Sequence, residues 1–206
     1  MCLYEKYILP RFLNCACGTK PFNHQRQKVV PMAKGLVLEV GIGSGLNIPF
    51  YDSAKVDKVL GLDPSSELNE LAAKVASTHD VPVEFILSGA EDIPLPDHHV
   101  DTVLITYTLC TIPDVAAANK EILRVLKPGG VMIFCEHGVA PDVNVSKWQS
   151  RINPLWSKLA GGCNLNRDIP ALITDAGFSI ESMQEMYLPS TPKIAGYNYW
   201  GTAVAW

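Results

Sequence analysis

The sequence predicts an α/β fold that is built on a mostly parallel sheet. Short runs rich in Val, Ile and Leu recur along the chain, as expected for strands that are buried on both faces. Helical patterns of apolar residues separate several of these runs, and alternating strands and helices form parallel sheets with crossover connections. The predicted strands are residues 36–40, 58–62, 83–87, 100–106 and 131–136, and residues 178–183 and 200–206 are expected to form a closing antiparallel pair.

Two helices are predicted from the spacing of their apolar residues, which in the first helix recur at i, i+3, i+4 and i+7. The first follows Ser65 and Ser66, and the second begins at Asp114, which is expected to be its N-cap. Residues 127–130, with the sequence Lys-Pro-Gly-Gly, are expected to end the second helix. The predicted buried stripes are Leu68, Leu71, Ala72 and Val75 in the first helix, and Val115, Ala118, Ile122 and Val125 or Leu126 in the second.

Length and composition limit the classes of function. The chain has 206 residues, of which 48% are apolar and 18% are charged, as in a globular protein with one core. A formal charge of −4 argues against nucleic-acid binding through the overall field. Since no apolar run reaches the roughly 18 residues that a membrane span needs, and the start does not resemble a secretory signal, we expect a cytoplasmic protein. The six cysteines lack zinc-like spacing, so we expect reduced thiols and no metal site.

We expect one domain that covers residues 1–206 and has three parts. Residues 1–34 form a helical cover, residues 35–136 form the ligand-binding core, and residues 137–206 form a second cover together with the C-terminal strands. Both covers are expected to lie over the carboxyl edge of the sheet, where α/β sheets bind their ligands.

The strongest functional signal is a glycine-rich turn directly after the first predicted strand. Glu39 precedes Gly41, Gly43 and Gly45, which have the spacing GxGxG. Glycines allow positive φ angles and a close approach of the backbone to a ligand. The spacing differs from the GxGxxG typical of diphosphate binding. A carboxylate at Glu39 would repel a diphosphate, whereas it suits a cationic ligand.

A second carboxylate, Asp63, ends the next strand, 22 residues after Gly41. A carboxylate at that position accepts hydrogen bonds from the hydroxyls of a ribose. The turn and the two carboxylates therefore predict a site for a nucleoside that carries a positive charge and no phosphates. S-adenosylmethionine (SAM) fits that description. The alternative is a turn that only packs a helix against a strand, with Asp63 as a helix cap.

Five segments between residues 35 and 136 match a known family as a set. They are residues 37–45, 61–65, 90–97, 100–103 and 124–130. On these segments the sequence resembles the class I SAM-dependent methyltransferases. The resemblance implies a seven-stranded Rossmann-like sheet of order 3-2-1-4-5-7-6 with helices on both faces. It also implies that SAM is the cofactor and S-adenosylhomocysteine (SAH) is the product.

The resemblance assigns parts of SAM to parts of this chain. The glycine turn is expected to contact the amino-acid end, Asp63 the ribose, residues 89–91 the adenine, and Thr106 the methionine part. Many relatives carry Asp where this chain has Gly89, so backbone groups are expected to replace that contact. The expected cofactor-binding residues are Glu39, Gly41, Gly43, Gly45, Asn47, Asp63, Pro64, Ala90, Glu91, Thr106 and Leu109.

A narrower resemblance covers more of the chain. It rests on residues 107–110, 134–137, 162–168, 176–178 and 196–197. On these residues the sequence is similar to the branch that includes the membrane-associated alkyl thiol methyltransferases. Those relatives carry an N-terminal hydrophobic anchor that this sequence lacks, so we do not expect membrane insertion. The branch implies a small, fairly apolar acceptor, and a thiol is the first candidate.

The catalytic base is left open by the sequence. A thiol attacks as thiolate, which is a few per cent of the thiol at neutral pH when its pKa is about 8.5. A residue that takes a proton at the ligand edge is therefore useful. Each candidate also has a structural alternative. His137 could be a loop residue bonded to backbone, and Cys110 could form part of an apolar wall. Residues 164–168 could form a loop that is locked by local hydrogen bonds and an ion pair. The candidates are Tyr107, Glu136, His137, Asn164, Arg167 and Asp168.

Three other functions are weighed against methylation of a small-molecule acceptor. The first is a phospholipid N-methyltransferase with residues 1–17 on a membrane surface, which is not favoured because Pro10 and mixed faces interrupt that segment. The second is a nucleotide-binding oxidoreductase, against which the GxGxG spacing and Glu39 argue. The third is a SAM-binding module without turnover. The sequence predicts no nucleic-acid partner and leaves the oligomeric state open.

Overall fold

A seven-stranded sheet forms the centre of the structure, a computed structural model that describes residues 17–205. Residues 1–16, on which the membrane-surface alternative mostly depends, lie outside the described part. The strands are β1 (Gly35–Val40), β2 (Val56–Leu62), β3 (Val83–Ile86), β4 (Val100–Thr106), β5 (Leu126–His137), β6 (Phe178–Tyr187) and β7 (Tyr197–Ala205).

The strand order is β3-β2-β1-β4-β5-β7-β6. The first five strands run parallel, and β7 pairs antiparallel with both β5 and β6. This order confirms the predicted topology, including the closing antiparallel pair. The order reverses between β1 and β4, and the carboxyl ends of strands at such a point form a crevice that binds ligands.

Six α-helices are seen in residues 17–205, and two short 3₁₀ turns accompany them. The predicted N-cap is confirmed, because the Asp114 carboxylate accepts a hydrogen bond from the Ala117 amide at 3.0 Å. The helices are α1 (Lys20–Val29), α2 (Ser66–Ala76), α3 (Val115–Val125), α4 (Val143–Leu159), α5 (Ile169–Thr174) and α6 (Lys193–Gly196), and the 3₁₀ turns are Val30–Met32 and Ile48–Phe50.

The sheet is buried on both faces, as the apolar strands predict. In β4, Val103 and Ile105 belong to one apolar cluster and Leu104 to the other, and all three are fully buried. Helix α2 contributes Ala72 to the cluster around Leu104, whereas α3 contributes Ile122 to the opposite cluster. Helices therefore cover both faces. Burial of each large side chain contributes about 1.5–3 kcal/mol to folding.

One helix prediction is wrong. Leu71, which was expected in the buried stripe of α2, is 41% exposed, whereas Ala72 is fully buried and Val75 packs partly buried against the same cluster. The predicted end of the second helix is confirmed, because α3 ends at Val125, just before residues 127–130. The strand β5 begins directly at Leu126, earlier than the predicted residue 131. Leu126 pairs with Val100 and Val131 pairs with Thr102, so residues 127–130 bulge out of the ladder. The bulge absorbs the Pro-Gly-Gly sequence at the edge of the core.

Described parts of both predicted cover segments pack near the carboxyl end of β4. Phe22 of α1 packs edge-on against Tyr107, the residue that follows β4, with 4.8 Å between the ring centroids. The loop between α4 and α5 lies on the same edge, because the amide of Asn164 donates to the carbonyl of Cys110 at 2.8 Å. No helix in residues 17–205 is both long and apolar enough to cross a membrane.

Candidate functional site

The glycine turn crosses the carboxyl end of β2. The amides of Gly41 and Ile42 donate to the Leu62 carbonyl at 2.8 and 3.1 Å. Gly41, Gly43 and Gly45 all have positive φ, at 74°, 55° and 83°. A Cβ on Gly41 would lie 2.4 Å from the Thr108 side chain, whereas a Cβ on Gly43 would meet nothing closer than 3.9 Å. Packing therefore requires glycine at 41, and the open space at 43 lets a ligand approach the backbone.

Asp63 lies beside this turn, directly after β2, and is 7% exposed. Its carboxylate accepts hydrogen bonds from the Gly43 amide at 3.0 Å and from the Ser65 amide at 2.9 Å. Each carboxylate oxygen has a second lone-pair site, so the group can still accept two hydroxyl hydrogens. The N-cap of α2 is Ser65, whose side chain accepts from the Leu68 amide. Ser65 therefore fills the helix-capping role that the alternative interpretation assigns to Asp63.

Glu39 lies at the centre of a buried polar network. Its two carboxylate oxygens accept hydrogen bonds from the Asn47 side-chain amide at 2.8 Å and from the Tyr51 hydroxyl at 2.6 Å. Asn47 also donates to the Thr106 hydroxyl at 2.9 Å, and it accepts from the Arg26 guanidinium at 3.1 Å. The network joins α1, the glycine turn and β4. Glu39, Asn47 and Thr106 were predicted as site residues, whereas Arg26 and Tyr51 were not.

The two carboxyls beside the glycine turn resist ionisation. Burial raises the pKa of Glu39 to about 7, although the hydrogen bonds from Tyr51 and Asn47 and the charge of Arg26 oppose that rise. Burial also raises the pKa of Asp63. A cation bound close to these carboxyls would favour their ionised forms. That the site takes a cationic ligand stays a prediction.

The segment expected to contact adenine follows β3. Ala90 is buried, and the Glu91 carboxylate accepts a hydrogen bond from the Asp114 amide at 3.3 Å. A Cβ on Gly89 would come within 2.9 Å of the same Glu91 carboxylate. Pro64 is exposed. The contacts that these residues make with adenine stay a prediction.

The carboxyl end of β5 fixes the turn that follows β4. Glu136 is fully buried, and one of its oxygens accepts hydrogen bonds from the amides of Thr108 at 2.7 Å and Leu109 at 3.1 Å. Its other oxygen, Oε2, has no hydrogen-bond partner within residues 17–205. Burial raises the pKa of Glu136 to about 7. Glu136 therefore holds the Thr108–Leu109 backbone against the glycine turn.

The side chain of Tyr107 is fixed by core contacts. Its hydroxyl donates to the Asn198 side chain at 2.8 Å and lies 3.4 Å from the Cys135 sulfur. Burial raises the pKa of Tyr107 well above its ordinary value. The hydroxyl thus links β4 to β5 and β7, and these contacts favour a structural role over proton transfer.

Three sulfur and imidazole side chains meet beside Glu136. We call Cys110, His137 and Cys163 the Cys-His-Cys cluster; its ligand atoms all lie within 4.8 Å of one another, and all three residues are buried. The His137 Nε2 atom lies 3.3 Å from the Cys163 sulfur, and its Nδ1 has no hydrogen-bond partner in the described part of the chain. The alternative for His137 is wrong, because His137 ends a strand and contacts sulfur rather than backbone.

The neighbours of the Cys163 thiol favour its ionised form. Hydrogen bonding from Cys110, together with the adjacent His137, lowers the pKa of Cys163 against the effect of burial. Burial raises the pKa of Cys17, the charge of Arg26 opposes that rise, and the charges of Cys163 and Glu136 add to it.

The other acceptor-side candidates hold loops together. Arg167 donates to the Leu109 carbonyl and, at 2.8 Å, to the Ile112 carbonyl. Asn164 donates twice to the Cys110 carbonyl, from its amide at 2.8 Å and from its side chain at 3.1 Å. Asp168 is the N-cap of α5. The predicted local locking is therefore present, but Arg167 makes no ion pair within residues 17–205.

The chain is similar to known methyltransferases in both sequence and fold. A family model described as a methyltransferase domain matches residues 38–134. Thiol S-methyltransferase TMT1A of Homo sapiens is 30% identical over 188 residues, which cover 89% of this chain and 76% of that protein. Phosphatidylethanolamine N-methyltransferase of Cereibacter sphaeroides is 33% identical over 105 residues, about half of each chain. The crystal structure of a methyltransferase from Bacillus halodurans matches the fold with a TM-score of 0.72 at 16% identity, covering 88% of this chain and 97% of that one.

Proposed function

The chain belongs to the class I SAM-dependent methyltransferases, in the branch that includes the thiol S-methyltransferases, and from that premise we propose that it methylates a small, fairly apolar thiol. SAM is its cofactor. The observation that supports the thiol most directly is the 30% identity to TMT1A over 89% of this chain.

The residues of the glycine turn fit the cofactor. The open backbone at Gly43, the free lone pairs of Asp63 and the buried carboxyl of Glu39 suit a ligand with a ribose and a cationic end. We propose that Asp63 accepts the ribose hydroxyls and that the Gly41–Gly45 turn takes the amino-acid end. Ala90 and Glu91 would border the adenine, and Thr106 and Leu109 the methionine part.

SAM supplies a methyl group that is already activated for transfer to a nucleophile. The protein therefore has to bind the acceptor in line with that methyl group and to keep the nucleophile ionised. The Thr108–Leu109 turn lies against Gly41 and is held there by Glu136, so it borders both the cofactor turn and the Cys-His-Cys cluster. We place the acceptor thiol on this side of the turn, with Glu136 and His137 as the nearest titratable groups from the predicted set.

Methylation of a phospholipid amine is a second candidate, since phosphatidylethanolamine N-methyltransferase matches about half of this chain.

The cytoplasm is our proposed compartment, because Cys110, Cys135 and Cys163 are buried free thiols, as is usual in reducing surroundings.

An acceptor screen tests the proposal. Labelled SAM is incubated with the protein and with benzyl mercaptan, benzyl alcohol, benzylamine or vesicles of phosphatidylethanolamine. We expect the thiol to be methylated at least about tenfold faster than the alcohol or the amine. Preferential methylation of the amine or of the lipid would contradict the thiol proposal, and SAH binding without any turnover of SAM would indicate a binding module.

A further inference from the structure

The Cys-His-Cys cluster brings together three residues that are far apart in the sequence. Cys110 lies in the turn after β4, His137 ends β5, and Cys163 lies in the loop between α4 and α5. Two thiolates and an imidazole are soft and borderline ligands that select zinc among the common divalent ions. All three residues are buried, and a chance contact between cysteine and histidine side chains is less common in the interior than on the surface.

We propose that Cys110, His137 and Cys163 bind a zinc ion and that the acceptor thiol occupies the fourth ligand position. This inference rests on the proposed function, because it assigns the cluster to the thiol substrate. Zinc sites with three protein ligands are typical of catalysis, since the fourth position accepts water or substrate, whereas structural sites use four protein ligands.

The distances are compatible with tetrahedral zinc. Ligand bonds of about 2.3 Å to sulfur and about 2.0 Å to nitrogen place neighbouring ligand atoms about 3.6–3.8 Å apart. The His137 nitrogen and the Cys163 sulfur are 3.3 Å apart, and every pair of ligand atoms in the cluster lies within 4.8 Å. Shifts of a few tenths of an ångström to about 1 Å would bring the atoms to these spacings, which side-chain rotation can supply.

The backbone around the cluster is fixed from several directions. The Cys110 carbonyl accepts two hydrogen bonds from Asn164, which is the neighbour of Cys163. Arg167 donates to the carbonyls of Leu109 and Ile112, on either side of Cys110. His137 is fixed by the pairing of β5 with β7. Metal sites need such supporting contacts to orient their ligands, so Asn164 and Arg167 are positioning residues in this proposal.

The cluster lies next to the cofactor turn. Gly41 is so close to Thr108 that a Cβ would overlap the threonine side chain, and Cys110 follows two residues later. The neighbouring residue Leu109 is an expected contact of the methionine part of SAM. A thiol bound at the cluster is therefore placed on the side of the turn where the methyl group is expected.

The chemistry that zinc would add is ionisation of the acceptor. When a thiol binds to zinc, its S–H bond breaks, the electron pair stays on sulfur, and the proton leaves to water. The thiolate sulfur then forms a bond to the methyl carbon, the bond between that carbon and the SAM sulfur breaks, and its electron pair stays on SAH. The thioether product is a neutral and weak ligand, so it leaves the metal.

Metal content and cobalt spectroscopy test the site without relying on activity. The full chain is reduced with a phosphine, loaded with zinc, and dialysed before its zinc content is measured. We expect about one zinc ion per chain. Cys110→Ser, Cys163→Ser and His137→Gln should each weaken zinc binding more than about tenfold. The matched control is Cys135→Ala, which removes a fully buried cysteine outside the cluster and should keep the zinc. A wild-type chain that retains no zinc overturns the proposal.

Cobalt reports the fourth ligand. Cobalt-loaded protein should show the visible bands of tetrahedral thiolate coordination, and benzyl mercaptan, added without SAM, should strengthen the sulfur-to-metal charge-transfer band. Benzyl alcohol should leave the spectrum unchanged. A spectrum that does not change when the thiol is added overturns the assignment of the fourth ligand position. Loss of metal in Cys17→Ser would also overturn it, since Cys17 would then complete a closed four-ligand site.

The two proposals fail in different ways. If zinc-free protein methylates benzyl mercaptan as fast as zinc-loaded protein, the zinc inference is wrong and the thiol function stands. If cobalt and thiol bind as expected but no methylated thiol forms, the proposed function is wrong and the metal site stands. A disulfide between Cys110 and Cys163 that survives phosphine treatment, detected by mass spectrometry, would contradict the zinc site directly.

Discussion

Asp63→Ala is expected to weaken SAH binding while the fold is kept. The substitution removes a carboxylate that is available to the two ribose hydroxyls, and a hydrogen bond to a charged group is worth about 1.5–3 kcal/mol. Even if only one of the two hydrogen bonds contributes fully to the binding free energy, SAH should bind about 10- to 150-fold more weakly. The affinity is measured by calorimetric titration of SAH into the wild type and the variant.

Two further variants separate binding from folding in this experiment. Asp63 also accepts hydrogen bonds from the Gly43 and Ser65 amides, so the thermal midpoint of each variant has to be measured alongside. Asp57→Ala is the matched control, because Asp57 is an exposed carboxylate on the same strand. Asp63→Asn keeps the shape and should recover part of the affinity. An Asp63→Ala variant that is folded and binds SAH as tightly as the wild type would refute the assigned role.

Three more predictions follow from the same geometry. Burial raises the pKa of Glu39 from 4.5 to about 7, so the folded chain holds a proton that the unfolded chain has lost, and stability falls as pH rises from about 4.5 to 7. Replacing this residue in Glu39→Gln should remove about 2.5 kcal/mol of that pH dependence, as measured by urea unfolding at pH 5 and pH 8, and an unchanged dependence would contradict it. Gly43→Ala should weaken SAH binding with little loss of thermal stability beyond the roughly 1–2 kcal/mol cost of a positive φ, whereas Gly41→Ala should destabilise the fold because its Cβ would overlap Thr108. Arg167→Met should lower the unfolding free energy by about 1.5–3 kcal/mol, because the partly buried carbonyls of Leu109 and Ile112 lose their charged hydrogen-bond donor. A variant as stable as the wild type would show that these hydrogen bonds are dispensable.

The sheet could be predicted because its strands are buried on both faces. Residues such as Val103, Leu104 and Ile105 are apolar in succession, and that pattern remains visible without any knowledge of their partners. The glycine turn and Asp63 were equally visible, since each directly follows a strand. The exposed Leu71 shows the limit of a periodic pattern, because α2 packs on the core through Ala72, Val75 and Ala76 and leaves Leu71 outside.

Contacts between distant segments could not be predicted from the sequence. Arg26 and Asn47 are 21 residues apart, and no spacing rule joins a helix residue to a turn beyond the next strand. Cys110, His137 and Cys163 are separated by 27 and 26 residues, so they do not form a zinc motif of short spacing in the sequence. Only the order of β4, β5 and the loop after α4 brings them together.

A crystal structure of the chain with SAH would show directly whether the glycine turn and Asp63 bind the cofactor. We expect both ribose hydroxyls to lie within about 3 Å of the Asp63 carboxylate oxygens and the amino-acid end of SAH to lie against the backbone at Gly43. An adenosyl group bound elsewhere, with Asp63 and Glu39 both directed away from it, would show that these residues do not form the cofactor site.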